Sequence, residues 1–492
     1  MLFNSIEFLV FLPVVFILYW FVINRNIKEQ NFLLLIASYF FYGWWDWRFL
    51  SLIIFSSAID YSVGLLLSGE KKEINRKLIL FTSVVINIGF LAFFKYFNFF
   101  IDSFSNAFTF FGQSIDPIRL NIILPVGISF YTFQTLSYTI DIYKKKMPPT
   151  NDIVSFFAFV SFFPQLVAGP IERASNLLPQ FFEKRKFQYT KAVDGLRQIL
   201  WGLFKKIVIA DNCAILVDDI FNNYASTPSE FLVLGAILFS FQIYCDFSGY
   251  SDIAIGTARL FGFNLMQNFA FPYFSRNIGE FWRRWHISLS TWFRDYLYIP
   301  LGGSRVKKHL KIRNILIIFL VSGFWHGANW TFICWGLLHA IYVLPLIFIG
   351  ANRTYLDTVA VGRYLPQLKE LIQMTITFLI ISFSWIFFRA ESMFHALEYI
   401  KGIAYADLYI NWGFIDHPSR VSDFSLTIET LPLFLLFFLI IEWIQREKPH
   451  ALYFSSNTFK SKLIRRFLYM ILSLLILIFW SYNKQEFVYF AF

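Results

Sequence analysis

A succession of long apolar runs separated by short basic loops constrains this chain more than any other feature. The first run covers residues 6–23, and its length and the absence of a small-residue cleavage site favour a retained span over a signal peptide. Eleven further runs could form spans or re-entrant segments. They lie at 32–45, 49–67, 78–100, 122–142, 196–209, 231–255, 315–335, 337–349, 372–388, 431–444 and 467–480. The pattern predicts an all-α polytopic membrane protein with about eleven transmembrane helices plus re-entrant and interfacial helices.

The charge distribution sets the expected orientation in the bilayer. Charged residues make up 15% of the chain and hydrophobic residues 57%, whereas soluble domains contain about 25% charged residues. The net charge of +11 comes mainly from short loops, and the positive-inside rule places these loops in the cytoplasm beside anionic lipid. They lie at 71–77, 144–146, 184–186, 305–313 and 446–466. The same rule puts both chain ends outside, and no nucleic-acid partner is expected.

The chain shows no sign of division into separate folding units or of bound cofactors. No polar stretch is long enough to form a second core, so one domain over 1–492 is expected. Three cysteines without paired short spacings argue against a metal or disulfide framework. No phosphate-binding loop or dinucleotide fingerprint is present, so we expect no bound cofactor.

His326 is the ionisable residue most directly placed where hydrocarbon is expected. It lies in the run 315–335, eleven residues after Ile315, which puts it about 17 Å along a helix and near the bilayer midplane. An imidazole there can act as a general base toward a hydroxyl acceptor. Gly323 and Gly327 would let a substrate or a neighbouring helix approach closely. The alternative is a histidine that only hydrogen-bonds to a neighbouring helix.

A second cluster combines arginines and aromatic residues in NIGEFWRRWHISLSTWFRDYLYIPLGGS, residues 277–304. The mixture indicates an interfacial or re-entrant helix with snorkelling arginines. Arg283, Arg284 and Arg294 are candidates to hold an anionic donor such as a nucleotide-bearing thioester, with His286 as a second polar group at the reaction centre. The alternative is a helix that only anchors the protein at the membrane surface.

Four further polar residues are candidates for supporting roles. His339 follows His326 by thirteen residues, so on an unbroken helix it faces the opposite side, and we expect a structural or supporting role. A direct pairing with His326 would need a break near residues 327–329. Asp246 and Asp252, in QIYCDFSGYSDIA, and Asp211, in FKKIVIADN, lie in or beside apolar runs and need partners. Asp246 and Asp252 could orient a histidine or pair with an arginine of 277–304, or they could serve packing alone. The functional and packing alternatives hold equally for Asp211.

Several long motifs occur in an order that resembles a known family. They are FWRRWHISLSTWFRDYLYIPLGG, YCDFSGYSDIAIG, NFAFPYFSRNI, GFWHGANWTFICWGLLHA, LPVGISFYTFQTLSY and LVAGPIER. Together they resemble the membrane-bound O-acyltransferase superfamily, in its bacterial branch containing the alginate O-acetyltransferase membrane subunit and the teichoic-acid D-alanyl transfer protein. The resemblance implies a ring of helices around a central funnel. It also implies that His326 is the essential histidine, His286 the second histidine, and Asp211 and His339 further polar positions of the branch.

The resemblance also implies substrates, a partner and a location. The donor would be a cytoplasmic thioester, either acetyl-CoA or an acyl-carrier thioester. The acceptor would be an extracytoplasmic polysaccharide or envelope polymer, reached through a partner acetyltransferase with a serine nucleophile. The location would be the bacterial inner membrane. Tyr489, in FVYFAF, is a candidate for partner docking or for transient acyl transfer, or it belongs to an interfacial aromatic belt.

Two other functional classes remain open from the sequence. One is a transporter or flippase of envelope polymer or lipid precursors, with the midplane histidine as a proton relay. The other is a scaffold of an export complex. Thioester cleavage separates acyl transfer from both.

Overall fold

The chain folds into helices joined by loops. A computed structural model describes residues 1–24, 26–110, 119–405, 422–454, 461–480 and 487–488, with the backbone alone at 110 and 422–428, and no strand occurs in these ranges. The α-helices are α1 Ile6–Ile17, α2 Ile27–Gly43, α3 Leu50–Gly69, α4 Glu73–Leu91, α5 Phe97–Phe110, α6 Ile128–Tyr143, α7 Ile153–Ser161, α8 Ala174–Leu177, α9 Tyr189–Leu203, α10 Asp211–Asn222, α11 Ser229–Leu260, α12 Ile278–Arg284, α13 Ile287–Phe293, α14 Lys308–His326, α15 Trp330–Phe348, α16 Leu368–Arg389, α17 Met393–Ala404, α18 Ser422–Ile444 and α19 Lys462–Ile478.

Five helical segments among the described residues are long and apolar enough to cross a membrane. A helix satisfies its own backbone hydrogen bonds in lipid, which explains why apolar runs adopt this structure. These segments are Trp47–Gly69, Glu73–Thr109, Ser229–Leu260, Trp330–Phe348 and Leu368–Arg389. The all-helical, multi-pass architecture agrees with the sequence pattern, and the larger total of about eleven crossings stays a prediction.

The described chain divides into two compact units. The single domain expected from the sequence stays a prediction. The first unit comprises residues 1–195 and 257–266, and the second comprises 196–256 and 267–492. In the first unit, α3, α4 and α6 pack around Asp60, which is fully buried. Ser83 Oγ donates to its carboxylate at 2.6 Å and Asn87 Nδ2 at 2.9 Å. These donors replace the water that the carboxylate loses on burial.

In the second unit, the predicted single run 315–335 is divided between two helices. α14 ends at His326, and Gly327 has an extended backbone with φ −163° and ψ 155°. α15 begins after Asn329, whose Oδ1 accepts the Thr331 N–H at 3.1 Å as a helix N-cap. The expectation of one continuous helix over the run 315–335 was therefore wrong.

α14 and α15 form a hairpin whose helices meet at two glycines. A Cβ at Gly323 would lie 2.2 Å from the carbonyl oxygen of Phe332, and one at Gly336 would lie 2.3 Å from that of Phe319. Only residues without a side chain permit this approach. Gly323 was expected to admit either a substrate or a neighbouring helix, and the neighbour that it admits is the helix α15.

The segment 277–304 also differs from its prediction as one interfacial or re-entrant helix. It contains two short helices, α12 and α13, and a π-helical turn at Arg294–Tyr298. The chain bends between the short helices at His286, whose φ of 42° lies in the left-handed region. Non-glycine residues rarely adopt this conformation, so the turn gives His286 a distinctive position.

Candidate active site

His326 occupies a buried pocket with aromatic walls in the second unit. Its ring centroid lies 5.0 Å from that of Trp325, 5.1 Å from that of Trp335 and 5.3 Å from that of Phe388. The residue is 4% exposed. Because α14 begins at Lys308, His326 lies about 27 Å along that helix. The distance of about 17 Å expected from the sequence was counted from Ile315, which lies within this helix, so it still holds, and the depth in the bilayer stays a prediction.

His286 lies beside His326 although forty residues separate them in sequence. The two ring centroids are 6.5 Å apart, and His286 is fully buried. Phe247 packs edge-on against the His286 ring at 4.7 Å. Burial lowers the pKa of His286 to about 3, which keeps the imidazole neutral near pH 7. The structure thus brings together the two histidines singled out in the sequence.

His339 is held by hydrogen bonds on both ring nitrogens. Trp282 Nε1–H donates to its Nδ1 at 3.3 Å, and Ser384 Oγ lies 3.0 Å from its Nε2. The Ser384 hydroxyl donates to the Ile381 carbonyl at 2.7 Å, so His339 Nε2–H must be the donor to Ser384. Both nitrogens of a neutral ring are therefore satisfied, and the supporting role of His339 stays a prediction.

The three aspartates singled out in the sequence pair with two consecutive lysines. Lys206 Nζ lies 2.8 Å from Asp211 and 2.7 Å from Asp246. Lys205 Nζ lies 2.6 Å from Asp252. Both lysines belong to the π-helical turn Phe204–Ala210, which continues α9 into α10. The partners of Asp246 and Asp252 are lysines and not the arginines considered as one alternative, and these ion pairs offset the cost of burying the carboxylates.

Arg283 donates to backbone carbonyls in the described structure. Its Nη1 donates to Asn352 at 2.7 Å and its Nη2 to Tyr355 at 2.6 Å. These contacts tie α12 to the loop that follows α15. The guanidinium is thereby largely committed to protein groups.

Arg284 and Arg294 have different surroundings. Arg284 pairs with the buried Glu280 at 2.9 Å and also donates to a carbonyl at 3.1 Å. Arg294 pairs with Asp295 at 2.7 Å, and 57% of its side chain is exposed. Of the three arginines, Arg294 is thus the most accessible to a soluble anion.

Tyr489 lies outside the described residues, whereas Phe487 and Val488, just before it, contact Tyr250 and Asp246. The Val488 N–H donates to Asp246 Oδ2 at 2.7 Å. The Phe487 ring lies 5.1 Å from that of Tyr250, and 3% of the residue is exposed. This segment is therefore anchored on the carboxylate that also binds Lys206.

A polar cavity lies close to the histidine pair. Its wall includes Lys205, Asp252, Glu442 and Asn268. Asn268 also contacts His286, with its Oδ1 3.0 Å from Nδ1. One side chain thus separates the cavity from the histidine. Within the described ranges, no three His, Cys, Asp or Glu side chains are grouped to hold a metal ion.

Sequence reasoning missed three residues that organise this region. Lys205 and Lys206 stand together in FKKIVIAD, and two lysines in an apolar run should have indicated buried carboxylate partners. Asn268 gave a weaker signal, as an amide that follows Gln267 and precedes Phe269 in QNFAF. Its contact with His286 depends on tertiary structure, which the sequence does not display.

Comparisons with known proteins agree with this geometry. The model of the MBOAT, membrane-bound O-acyltransferase, family matches residues 143–388, which include both histidines. The probable alginate O-acetylase AlgI of Pseudomonas aeruginosa is 42% identical over 398 residues, covering 80% of this chain and 73% of that protein. A peptidoglycan O-acetyltransferase of Helicobacter pylori is 38% identical over 433 residues, covering 82% and 80%. A teichoic acid D-alanyltransferase of Bacillus subtilis is 28% identical over 293 residues, covering 56% and 71%. The chain is a multi-pass helical protein in which two buried histidines lie side by side. On the family match and these relatives, it belongs to the membrane-bound O-acyltransferase family and is an acyltransferase.

Proposed function

We propose that this acyltransferase takes an acyl group, most simply acetyl, from a cytoplasmic thioester and delivers it across the membrane to an extracytoplasmic polymer. The juxtaposition of His326 and His286 in a buried aromatic pocket carries this proposal. Low polarity strengthens electrostatic interactions with charge that develops during the reaction. We assign His326 as the general base and His286 as its polar companion.

The reaction needs one proton to pass through His326. His326 accepts the proton of the acceptor hydroxyl while that oxygen attacks the thioester carbonyl carbon. The carbon–sulfur bond then breaks, and the thiol leaves with the proton returned by the imidazolium. An ester and a free thiol result. Asp211, Asp246, Asp252 and His339 support the surrounding structure.

The polar cavity supports entry of the donor from the side of the basic loops. Its wall offers an ammonium, carboxylates and amides, and Asn268 connects it to His286. We propose acetyl-CoA or an acyl-carrier thioester as the donor. Arg294, with its exposed guanidinium, is our first candidate to hold the anionic part of the donor, followed by Arg283 and Arg284.

The acceptor is proposed from the relatives. Their names specify alginate, peptidoglycan and teichoic acid, so we propose a polysaccharide or another envelope polymer. An extracytoplasmic partner with a serine nucleophile would complete the transfer. We further propose residence in a bacterial inner membrane, with about eleven crossings arranged as a ring around a funnel.

The decisive experiment measures cleavage of radiolabelled acetyl-CoA by the purified protein in liposomes, with partner and acceptor present. His326→Ala should abolish label transfer because it removes the base. His309→Ala is the matched control, since His309 lies on the same helix but is exposed, and it should retain transfer. Full transfer by His326→Ala would refute the assignment of the base. No cleavage of acetyl-CoA by the unmodified protein would favour a carrier-protein thioester as the donor, or a transporter.

A second experiment addresses Tyr489. Removing residues 487–492 with membrane insertion intact should stop acylation of the acceptor, because the segment anchored on Asp246 would be lost. Tyr489→Phe keeps the aromatic ring and removes only the hydroxyl. Loss of transfer in Tyr489→Phe would indicate an acyl relay, and loss in the truncation alone would indicate docking. Unchanged transfer in both would refute the role.

A further inference from the structure

Asn268 holds the chain turn at His286. It is fully buried, and its carbonyl oxygen accepts the Ile287 N–H at 2.9 Å. Its side-chain Oδ1 accepts the Ser288 hydroxyl at 2.9 Å. The backbone and side chain of one residue thus bind both residues that follow His286.

The orientation of the Asn268 amide follows from these partners. The Ser288 backbone N–H lies 3.3 Å from the amide atom that faces it, and because this group can only donate, that atom must be the oxygen. The amide nitrogen then donates to Ser251 Oγ at 3.1 Å. No other orientation satisfies both contacts.

This orientation determines where His286 carries its hydrogen. Its Nδ1 lies 3.0 Å from Asn268 Oδ1, and since that oxygen only accepts, Nδ1 must be the donor. A neutral imidazole carries one N–H, so Nε2 keeps its lone pair. The left-handed backbone of His286, with φ 42°, is sparsely populated and persists only where surrounding contacts enforce it.

We infer that Asn268 is a positioning residue for acyl transfer, which holds His286 as the Nδ1–H tautomer and presents Nε2 to the reaction centre as an acceptor. This inference rests on the proposed function. With His326 close by, an acceptor can take a hydrogen bond from the substrate hydroxyl or from the His326 imidazolium. The opposite tautomer would place a donor there and would oppose the charge on His326.

A double-mutant cycle tests whether Asn268 acts through His286. Asn268→Ala should lower kcat for acetyl transfer by about 10–100-fold, the loss expected when a buried hydrogen-bond partner in such a site is removed. In the His286→Ala background the same change should have no further effect. If the kcat losses of Asn268→Ala and His286→Ala instead multiply in the double variant, Asn268 has a purely structural role and the inference is overturned.

Two further variants separate positioning from general damage. Asn314→Ala also removes a fully buried asparagine of the second unit, one that donates to the Leu301 carbonyl at 3.0 Å. It should lower stability without lowering kcat of the folded protein. Asn268→Asp retains an oxygen facing His286 Nδ1 and should recover most of the activity lost in Asn268→Ala. Equal losses in both Asn268 variants would contradict the inference.

A spectroscopic measurement is independent of turnover. Solid-state NMR of protein labelled with ¹⁵N-histidine distinguishes protonated from unprotonated ring nitrogens, and subtracting the His286→Ala spectrum isolates His286. The Nδ1–H tautomer should dominate in the unmodified protein and lose its dominance in Asn268→Ala. A dominant Nε2–H tautomer in the unmodified protein would overturn the inference. If the unmodified protein cleaves no thioester, the proposed function fails, while this spectrum still decides the tautomer.

Discussion

Replacing Gly323 by alanine should separate α14 from α15 and displace His326. The new Cβ would lie 2.2 Å from the carbonyl oxygen of Phe332, so the two helices must part by about 1 Å to restore a normal contact. Overpacking of this kind costs about 1–3 kcal/mol of unfolding free energy. His326 follows three residues later, and the Trp335 that packs against its ring lies on the other helix.

The expected effect on activity exceeds the effect on stability. Misplacing a catalytic group by about 1 Å can lower the rate about 100-fold, so kcat per folded molecule should fall by one to two orders of magnitude at a temperature where the variant stays folded. Thermal unfolding in detergent and acetyl transfer in liposomes measure the two effects separately.

Gly89→Ala supplies the control for this experiment. Gly89 also lies inside a helix, α4, but nothing approaches within 4 Å of a Cβ built there. Since alanine favours helix by about 1 kcal/mol over glycine, this variant should be at least as stable as the unmodified protein and fully active. A Gly323→Ala variant with unchanged stability and kcat would refute the claim that this contact sets the position of His326.

Three further predictions concern other parts of the chain. Burial raises the pKa of Glu172 to about 7 from an ordinary 4.5; the folded state therefore binds more protons between these values, and stability falls as pH rises from 4.5 to 7. The stability advantage of Glu172→Gln over the unmodified protein should grow between pH 5 and 8, reaching up to about 3 kcal/mol, and unfolding curves with no pH-dependent difference would contradict this. Arg294→Met should raise KM for the donor about 10-fold or more through loss of a charge-assisted bond, with initial-rate kinetics as the test and an unchanged KM as the contrary result. Ser384→Ala should destabilise the protein by about 1–3 kcal/mol because His339 Nε2–H loses its acceptor, whereas kcat of the folded protein should change little; an undiminished midpoint of thermal unfolding would argue against it.

The sequence predicted the apolar helices and the two histidines more successfully than their local breaks. The run 372–388 lies within α16, and all but the first residue of the run 49–67 lies within α3, because unbroken apolar stretches leave a chain in lipid few alternatives. A break near residues 327–329 was considered only as the condition for a direct pairing of His326 with His339, although Asn329 stands two residues before Thr331 as an N-cap would. The apolar run continues through this turn, and the boundary between α14 and α15 was therefore not visible in the hydropathy pattern.

Pairings between distant residues could not be read from the sequence. Asp246 and Lys206 are forty residues apart, and Asn268 and His286 eighteen. Hydropathy indicates that a buried carboxylate needs a partner and does not identify that partner. The motifs supplied the candidate residues, and only the packing of helices determined which ones meet.

The tryptophans around His326 also make the pocket a spectroscopic reporter. Indole fluorescence is quenched by a protonated imidazole at van der Waals distance, and the rings of Trp325 and Trp335 lie about 5 Å from that of His326. The difference in emission between the unmodified protein and His326→Ala should therefore follow the protonation of this one histidine. Stopped-flow measurement of that signal after mixing with donor and acceptor would time the proton transfer without any label.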